Sequence, residues 1–459
     1  MNRSSREIAF TEEYFFWRTQ LNHYSNYRVI VEYSEKLTID KVYNAITNMM
    51  YKYSTLAADV RLNKSTKLEY DVGFADHVQL KDVVEFINNE KFNNIETIMN
   101  FYQHEAFKFG SNKPLWKLKI INSKYAVFFN DHIFFDGTSG KNFHIEFSKQ
   151  LKNPLFSQNN TLDSTVFDKS MVDFDEYQIT PKPTDIINFN APLGYTILRL
   201  ITEFAPRSIT NFFKYWFSQN PYAKVLTYNS VSMKSLKLIP EENNECRNLH
   251  LTSDKVNSLI KISRSYNVKL TSLIITLAHL SMAQYISYTG DDVKTNIPVN
   301  LRPLIDLEKA KQLCSNFSPL FGLYVGVISL ELPCITKICP DGKLNWDLVK
   351  YINEKIHNNI DKSAYDFGLL RLVNTKRFII DKYAKNDKST LEISNLGVLP
   401  DNDNMIQAWF DQPSEIFSIN MISTTKGSNL VLRSANTDFV DGFRETIEIL
   451  IDELIKENA

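Results

Sequence analysis

Residues 125–140 read YAVFFNDHIFFDGTSG, an apolar run that breaks into a turn and leaves through glycine. Tyr125 to Asn130 has the length and aromatic, β-branched content of a buried strand. The stretch before it, LWKLKII at Leu115 to Ile121, alternates as a strand, and Asn122-Ser123-Lys124 makes the turn between the two. The pair is an antiparallel hairpin that delivers His132 to its far end. Asp136-Gly137 is turn chemistry, and Thr138 or Ser139 can N-cap a helix whose inner face carries Phe143 and Phe147. A histidine at the end of a buried strand is held rigidly and still reaches a cavity, which is what a general base requires. The plainer reading of His-x-x-x-Asp-Gly is a satisfied core histidine followed by a β-turn.

Outward from this hairpin, strands and helices alternate through the whole chain. Upstream lie a helix over 9–26, a strand at Tyr27 to Tyr33, a helix from Ile39 to Tyr53, and short strands at Leu56 to Val60 and Leu68 to Val72. The segments Lys81 to Asn88 and Ile95 to Phe109 read as helical. Residues 152–190 are polar and irregular, and Pro154, Pro181, Pro183 and Pro192 place the crossing between domains nearby. Tyr195 to Phe217 is aromatic, interrupted by Pro206 and mildly basic through Arg199, Arg207 and Lys214. It reads as a helix pair packed on both domains, with a lid or peripheral membrane contact as the alternative.

The second half repeats the pattern. Strands are expected at Leu249 to Leu251, Val293 to Val299, Leu323 to Leu330 and Leu391 to Leu396, with a hairpin of Ile416 to Ser423 and Asn429 to Ser434. Helices are expected after Ser253, which caps the first, and over Thr271 to Tyr285, Trp346 to Ile360 and Phe439 to Lys456. Frequent hairpins among the helices argue for an α/β fold of two lobes with mixed sheets. The division is 1–185 for the first lobe, 186–225 for the crossing or lid segment, and 226–459 for the second lobe.

At 459 residues and 43% hydrophobic content the chain fills two domains of ordinary size. Its 52 basic and 53 acidic residues leave a net charge of −1, so no basic excess points to nucleic acid. Cys246, Cys314, Cys334 and Cys339 lack zinc spacing and read as reduced packing residues, and no metal is expected. The first residues lack a signal-peptide core, and no run of apolar residues is long enough to span a membrane. The expected address is the cytoplasm, with peripheral contact to endoplasmic reticulum or lipid droplets left open. The expected state is a monomer.

Four motifs, in order along nearly the whole chain, resemble the fungal alcohol acetyltransferase family. They are Glu13-Tyr14-Phe15 with Tyr24-Ser25-Asn26, His132-x-x-x-Asp136-Gly137, Pro298-Val299-Asn300-Leu301-Arg302-Pro303, and Ser394-Asn395-Leu396-Gly397. That family belongs to the CoA-dependent acyltransferase superfamily of chloramphenicol acetyltransferase, plant BAHD enzymes and condensation domains. The resemblance implies two chloramphenicol-acetyltransferase-like lobes with a tunnel between them, acetyl-CoA entering at one end and the acceptor at the other. It implies that His132 is the catalytic base. It also implies that Asp136 points away from the histidine and pairs with an arginine, for which Arg302 is the candidate. Gly137 is read as a backbone requirement, either a positive φ or close approach of substrate. Ser394 and Asn395 are the candidate oxyanion or acceptor-side groups, with Asn300 a further one. Two departures are plain: Asp131 stands where condensation domains carry a second histidine, and Asp366-Phe367-Gly368 lacks the tryptophan of the BAHD motif DFGWG.

The implied reaction is acetyl transfer from acetyl-CoA to the hydroxyl of a small or lipophilic alcohol, by direct attack. N-acetylation of a lipophilic, sphingoid-like amine is the alternative within the enzymes. A non-catalytic binding protein with the same fold is the alternative outside them. An intact His132, Asp136 and Gly137 speak against the last.

Overall fold

The strand Tyr125–Asp131 lies at the middle of the first sheet, between Asn26–Tyr33 and Trp116–Ile121, antiparallel to both. A computed structural model gives this fold. It describes residues 4–458 apart from 24–25, 103–104, 207–208, 210–211, 213–214, 217–219, 227–244, 287–291, 385–388, 401–402, 414–415 and 435–436. Tyr24 and Ser25 of the first motif, and Arg207, Lys214 and Phe217 of the aromatic segment, lie outside the described residues.

The first sheet runs in the order Met405–Asp411, Asn26–Tyr33, Tyr125–Asp131, Trp116–Ile121, Val84–Ile87, and only its last pair is parallel. The helices Ile39–Lys52 and Gly137–Leu151 pack on one face and bury Ile46, Met49, Phe143 and Phe147 with Phe128. The second sheet runs Glu245–Thr252, Gly427–Ser434, Phe417–Thr424, Leu391–Val398, Val293–Asn300, Val325–Leu332. The two pairs made by Leu391–Val398 are parallel and the other three antiparallel, so the sheet is mixed. The helices Ser253–Ser265, Leu270–Ile286, Trp346–His357 and Thr437–Glu457 cover its outer face, with Leu273, Leu348, Phe443 and Ile447 in a second core.

Several elements differ from the sequence reading. Residues 81–88 are not a helix: one turn, Leu80–Val83, gives way to the strand Val84–Ile87. Val84, Phe86 and Ile87 are strand formers, and the open edge of Trp116–Ile121 offers them a ladder. The helix begun at Ile95 stops at Phe101. The helix after the central turn is capped by Asp136, not Thr138 or Ser139; its carboxylate accepts the Ser139 N–H at 2.8 Å, so the helix starts at Gly137. Thr252 rather than Ser253 caps the first helix of the second lobe. The strand Met405–Asp411 has no counterpart in the sequence reading, and it joins the first sheet although it lies far inside the second half of the chain. Apart from this strand, the first sheet is built from strands within residues 26–131 and the second from strands within residues 245–434.

The crossing strand is fastened by charge. Asp411 at its end accepts from Arg28 of the first sheet and from Arg433 of the second, at 2.9 and 2.7 Å from Arg433, and all three side chains are buried. Burial alone would push the Asp411 carboxyl up, but Arg28 and Arg433 outweigh it and hold it at about 2.

Candidate active site

Alternation in three strands of the second sheet builds one wall of a cavity. On Val293–Asn300, Lys294, Asn296, Pro298 and Asn300 face it, while Val293 and Ile297 face the core. Val325 and Val327 do the same on Val325–Leu332, and Glu392 and Ser394 on Leu391–Val398. The opposite wall comes from the first lobe: Tyr14, Phe15 and Arg18 of the helix Phe10–Gln20, and His132. The space between is about 310 Å³. A cavity of this size and mixed lining suits an organic substrate.

His132 is the first residue after its strand, and the turn that carries it is pinned at Asp131. The buried Asp131 carboxylate accepts the Ile133 N–H at 2.9 Å and the Thr19 hydroxyl at 2.7 Å. Phe15 stacks on the imidazole with ring centres 4.6 Å apart, and Tyr27 lies against it at 4.9 Å. The ring is therefore held from two sides by aromatic groups. Its Nδ1 is buried without a hydrogen-bond partner among the described residues. Burial first, and the Arg18 charge second, push the imidazole down to about 4; Asp136, the Phe135 backbone and the Gln412 side chain pull weakly the other way. At neutral pH the ring is uncharged and able to accept a proton.

Asp136 points away from His132 into a network between the lobes. Its two oxygens accept both Nη groups of Arg302, at 2.8 and 3.0 Å, and the backbone N–H of Tyr324 at 2.8 Å. Arg302 also donates from Nε to the Pro319 carbonyl at 2.7 Å and lies over the Tyr324 ring. The Ser139 hydroxyl sits inside the network, accepting from Arg302 at 3.0 Å and donating to the Gly322 carbonyl at 2.9 Å. A planar guanidinium meeting a carboxylate at two points fixes orientation as well as distance. Tyr27 donates its hydroxyl to the Asp136 carbonyl, so the tilted ring that lies against the histidine also holds the next turn.

Gly137 does not have a positive φ, which corrects one half of its sequence reading. It is the first residue of a helix, and the requirement is space. A Cβ there would meet Leu396 at 2.7 Å and Phe410 at 3.3 Å. Leu396 belongs to the Ser-Asn-Leu-Gly strand, so this glycine lets the helix after His132 approach the second sheet.

The remaining candidates divide. The Ser394 hydroxyl faces the cavity with no side-chain partner among the described residues. Asn395 is occupied: its Nδ2 donates to Thr271 at 3.0 Å and its Oδ1 accepts the Gly397 N–H at 2.8 Å, which shapes the positive-φ turn at Gly397. Asn300 uses its Oδ1 on Arg302, accepting from the backbone N–H and Nη1 at 3.1 Å each. Both asparagines line the cavity, but their held atoms serve the frame.

Two groups were not singled out from sequence. Gln412 follows the crossing strand, lines the cavity beside His132 and donates to Glu392 at 3.2 Å. Its position depends on the unforeseen strand, so no local pattern announces it. Asp366 and Phe367, noted only for what their motif lacks, also line the cavity, and Phe367 stacks beyond Phe15 at 6.4 Å.

The model of the alcohol acetyltransferase family matches residues 7–451. N-acetyltransferase SLI1 of Saccharomyces cerevisiae is 23% identical over 454 residues, covering 91% of this chain and 92% of its own. Among solved structures, TRI3 trichothecene 15-O-acetyltransferase from Fusarium sporotrichioides superposes with a TM-score of 0.63 at 11% identity, over 97% of this chain and 94% of its own. The starter condensation domain of rhizomide synthetase, solved with C8-CoA, gives 0.57 at 9% identity over 98% and 94%. These structures share the two-lobed fold.

Proposed function

Since the chain belongs to the alcohol acetyltransferase family, we propose that it moves an acetyl group from acetyl-CoA to the hydroxyl of a small or lipophilic alcohol, with His132 as base. The observation that carries this reading is a buried, uncharged imidazole facing the cavity. The acceptor oxygen attacks the thioester carbonyl while His132 takes its proton. The tetrahedral intermediate collapses, the C–S bond breaks, and the imidazolium returns the proton to the CoA thiolate. The protein ends unchanged, and no acyl-enzyme is needed. In this reading the Ser394 hydroxyl, which lines the cavity, donates to the oxyanion. Asp136 and Arg302 hold the two walls at a fixed separation and take no part in proton transfer.

A second reading is acetylation of a lipophilic amine, favoured by the N-acetyltransferase that matches 91% of this chain. The same base serves an amine once its ammonium proton is gone. The test is release of free thiol from acetyl-CoA with a panel of isoamyl alcohol, a sterol and a long-chain amino alcohol, with His132→Ala run beside the wild type. His132→Ala should lower the rate at least about 100-fold with an unchanged circular dichroism spectrum. Equal rates in the two proteins would remove His132 from the mechanism. A product acetylated at nitrogen alone would decide for the amine. Silence from folded wild type across the panel would favour a binding protein.

A further inference from the structure

Behind the imidazole of His132, the strand that carries it holds a polar side chain the mechanism has not used. Asn130 is fully buried, and both its Nδ2 and its Oδ1 lack a hydrogen-bond partner among the described residues, as Nδ1 of His132 does. Asn130 lies near the end of Tyr125–Asp131, and His132 follows two positions on. Alternate residues of a strand face the same way, with Cα atoms about 6.6 Å apart. Tyr27 touches both: it sits opposite Asn130 in the ladder, and its ring centre is 4.9 Å from that of the imidazole. Buried polar groups are nearly always satisfied, and a leucine at this place would leave no polar atom to satisfy.

The surroundings fix the direction of the Asn130 amide. Tyr27 donates its hydroxyl hydrogen to the Asp136 carbonyl, so its oxygen can only accept from Asn130. The amide therefore turns its NH2 to Tyr27. Burial and then the Asp136 charge push the Tyr27 phenol up, while Arg302 and the Asn130 amide work against them, as a donor does. Oδ1 is left as the acceptor on the other side.

The two nitrogens of His132 are unlike. Nδ1 is buried, which leaves Nε2 as the nitrogen on the cavity side. A base presents a bare nitrogen to the acceptor, so the hydrogen of the neutral ring has to sit on Nδ1. The Phe135 carbonyl lies beside the ring, pulling against burial and the Arg18 charge, yet closes no hydrogen bond with Nδ1. One water joins these groups: it accepts from Nδ1–H and donates to Asn130 Oδ1 and to the Phe135 carbonyl, three bonds, which is usual for a buried water.

We propose that Asn130 is a positioning residue that, through one internal water, keeps the hydrogen of His132 on Nδ1 and Nε2 bare toward the acceptor. The proposal rests on the reading of His132 as base.

The test reads the tautomer itself, by nitrogen–proton correlation on the full chain labelled with nitrogen-15 histidine at neutral pH, with His132→Ala identifying the signal. Wild type should carry the hydrogen on Nδ1. Asn130→Leu, close in size and without polar atoms, should move the population toward hydrogen on Nε2. In the thiol-release assay it should lower kcat at least ~10-fold, with KM for acetyl-CoA and the circular dichroism spectrum unchanged. Should that variant fail to fold, Asn130→Val, a smaller strand former, reports the same shift. Hydrogen on Nε2 in the wild type overturns the proposal. So does an apolar variant that keeps the wild-type tautomer, whatever its rate, or one whose tautomer shifts while its rate does not. A folded wild type that releases no thiol with any acceptor removes the reading of His132 as base, and the tautomers of wild type and variant still decide whether Asn130 sets the ring.

Discussion

Replacing Asp136 by Asn tests whether the central motif holds the lobes together or serves the base. The wild-type carboxylate accepts four N–H groups: two from Arg302, one from Ser139 and one from Tyr324. Asn offers one acceptor oxygen and turns an NH2 toward donors already in place. Arg302 has a side chain only 12% exposed and would keep its charge without a counter-ion. Breaking a buried pair from one side costs about 3–5 kcal/mol, a large share of the roughly 5–15 kcal/mol of a typical protein. Asp136→Asn should therefore lose about that much in equilibrium urea unfolding, read by circular dichroism and by tryptophan fluorescence to check that the lobes unfold together. Arg302→Met alone should also destabilise. The double variant should be more stable than Asp136→Asn by at least about 1 kcal/mol, because no buried charge is stranded. An Asp136→Asn protein within about 1 kcal/mol of wild type, yet inactive, would refute this and return Asp136 to the chemistry.

Three further outcomes follow from the same geometry. The rate should hold steady from pH 8 down through pH 6 and fall only as His132 protonates near about 4; a free histidine would place that limb near about 6.5, and a pH–rate profile of kcat/KM separates the two. Gly137→Ala sets a methyl against Leu396 and Phe410, and should cost about 1–3 kcal/mol in the unfolding assay and lower turnover as well. Ser394→Ala should lower kcat about 10²-fold or more with little change in KM if its hydroxyl meets the oxyanion; a changed KM with kcat retained would place it at substrate binding instead.

Three of the five strands of the first sheet were readable because they announce themselves locally. Trp116–Ile121 and Tyr125–Asp131 pair through one tight turn, and Asn26–Tyr33 shows its own alternation, although its pairing with Tyr125–Asp131 is long-range. Local signals failed where a distant partner decided the outcome. Val84–Ile87 has helical spacing, and the neighbouring strand edge overrides it. Met405–Asp411 lies between polar loops, and nothing nearby in sequence shows that its partner is Asn26–Tyr33. The site divides in the same way. His132, Asp136 and Gly137 form a contiguous signature, whereas Gln412 reaches the cavity only through that long-range strand. The role of Asp131 was hidden because a pinned turn needs Thr19 from another element.

The strand Met405–Asp411 also bears on how the protein is made. Synthesis proceeds at ~5–20 residues per second, so the strand Asn26–Tyr33 leaves the ribosome tens of seconds before its outer neighbour exists. Through that interval one side of Asn26–Tyr33, with buried Val29, Ile30 and Val31, is an unpaired apolar edge. A gene fragment ending at the crossing segment, which keeps this edge bare, should therefore be poorly soluble. Adding the missing strand in trans, as a peptide spanning residues 403–413, should rescue the solubility of such a fragment.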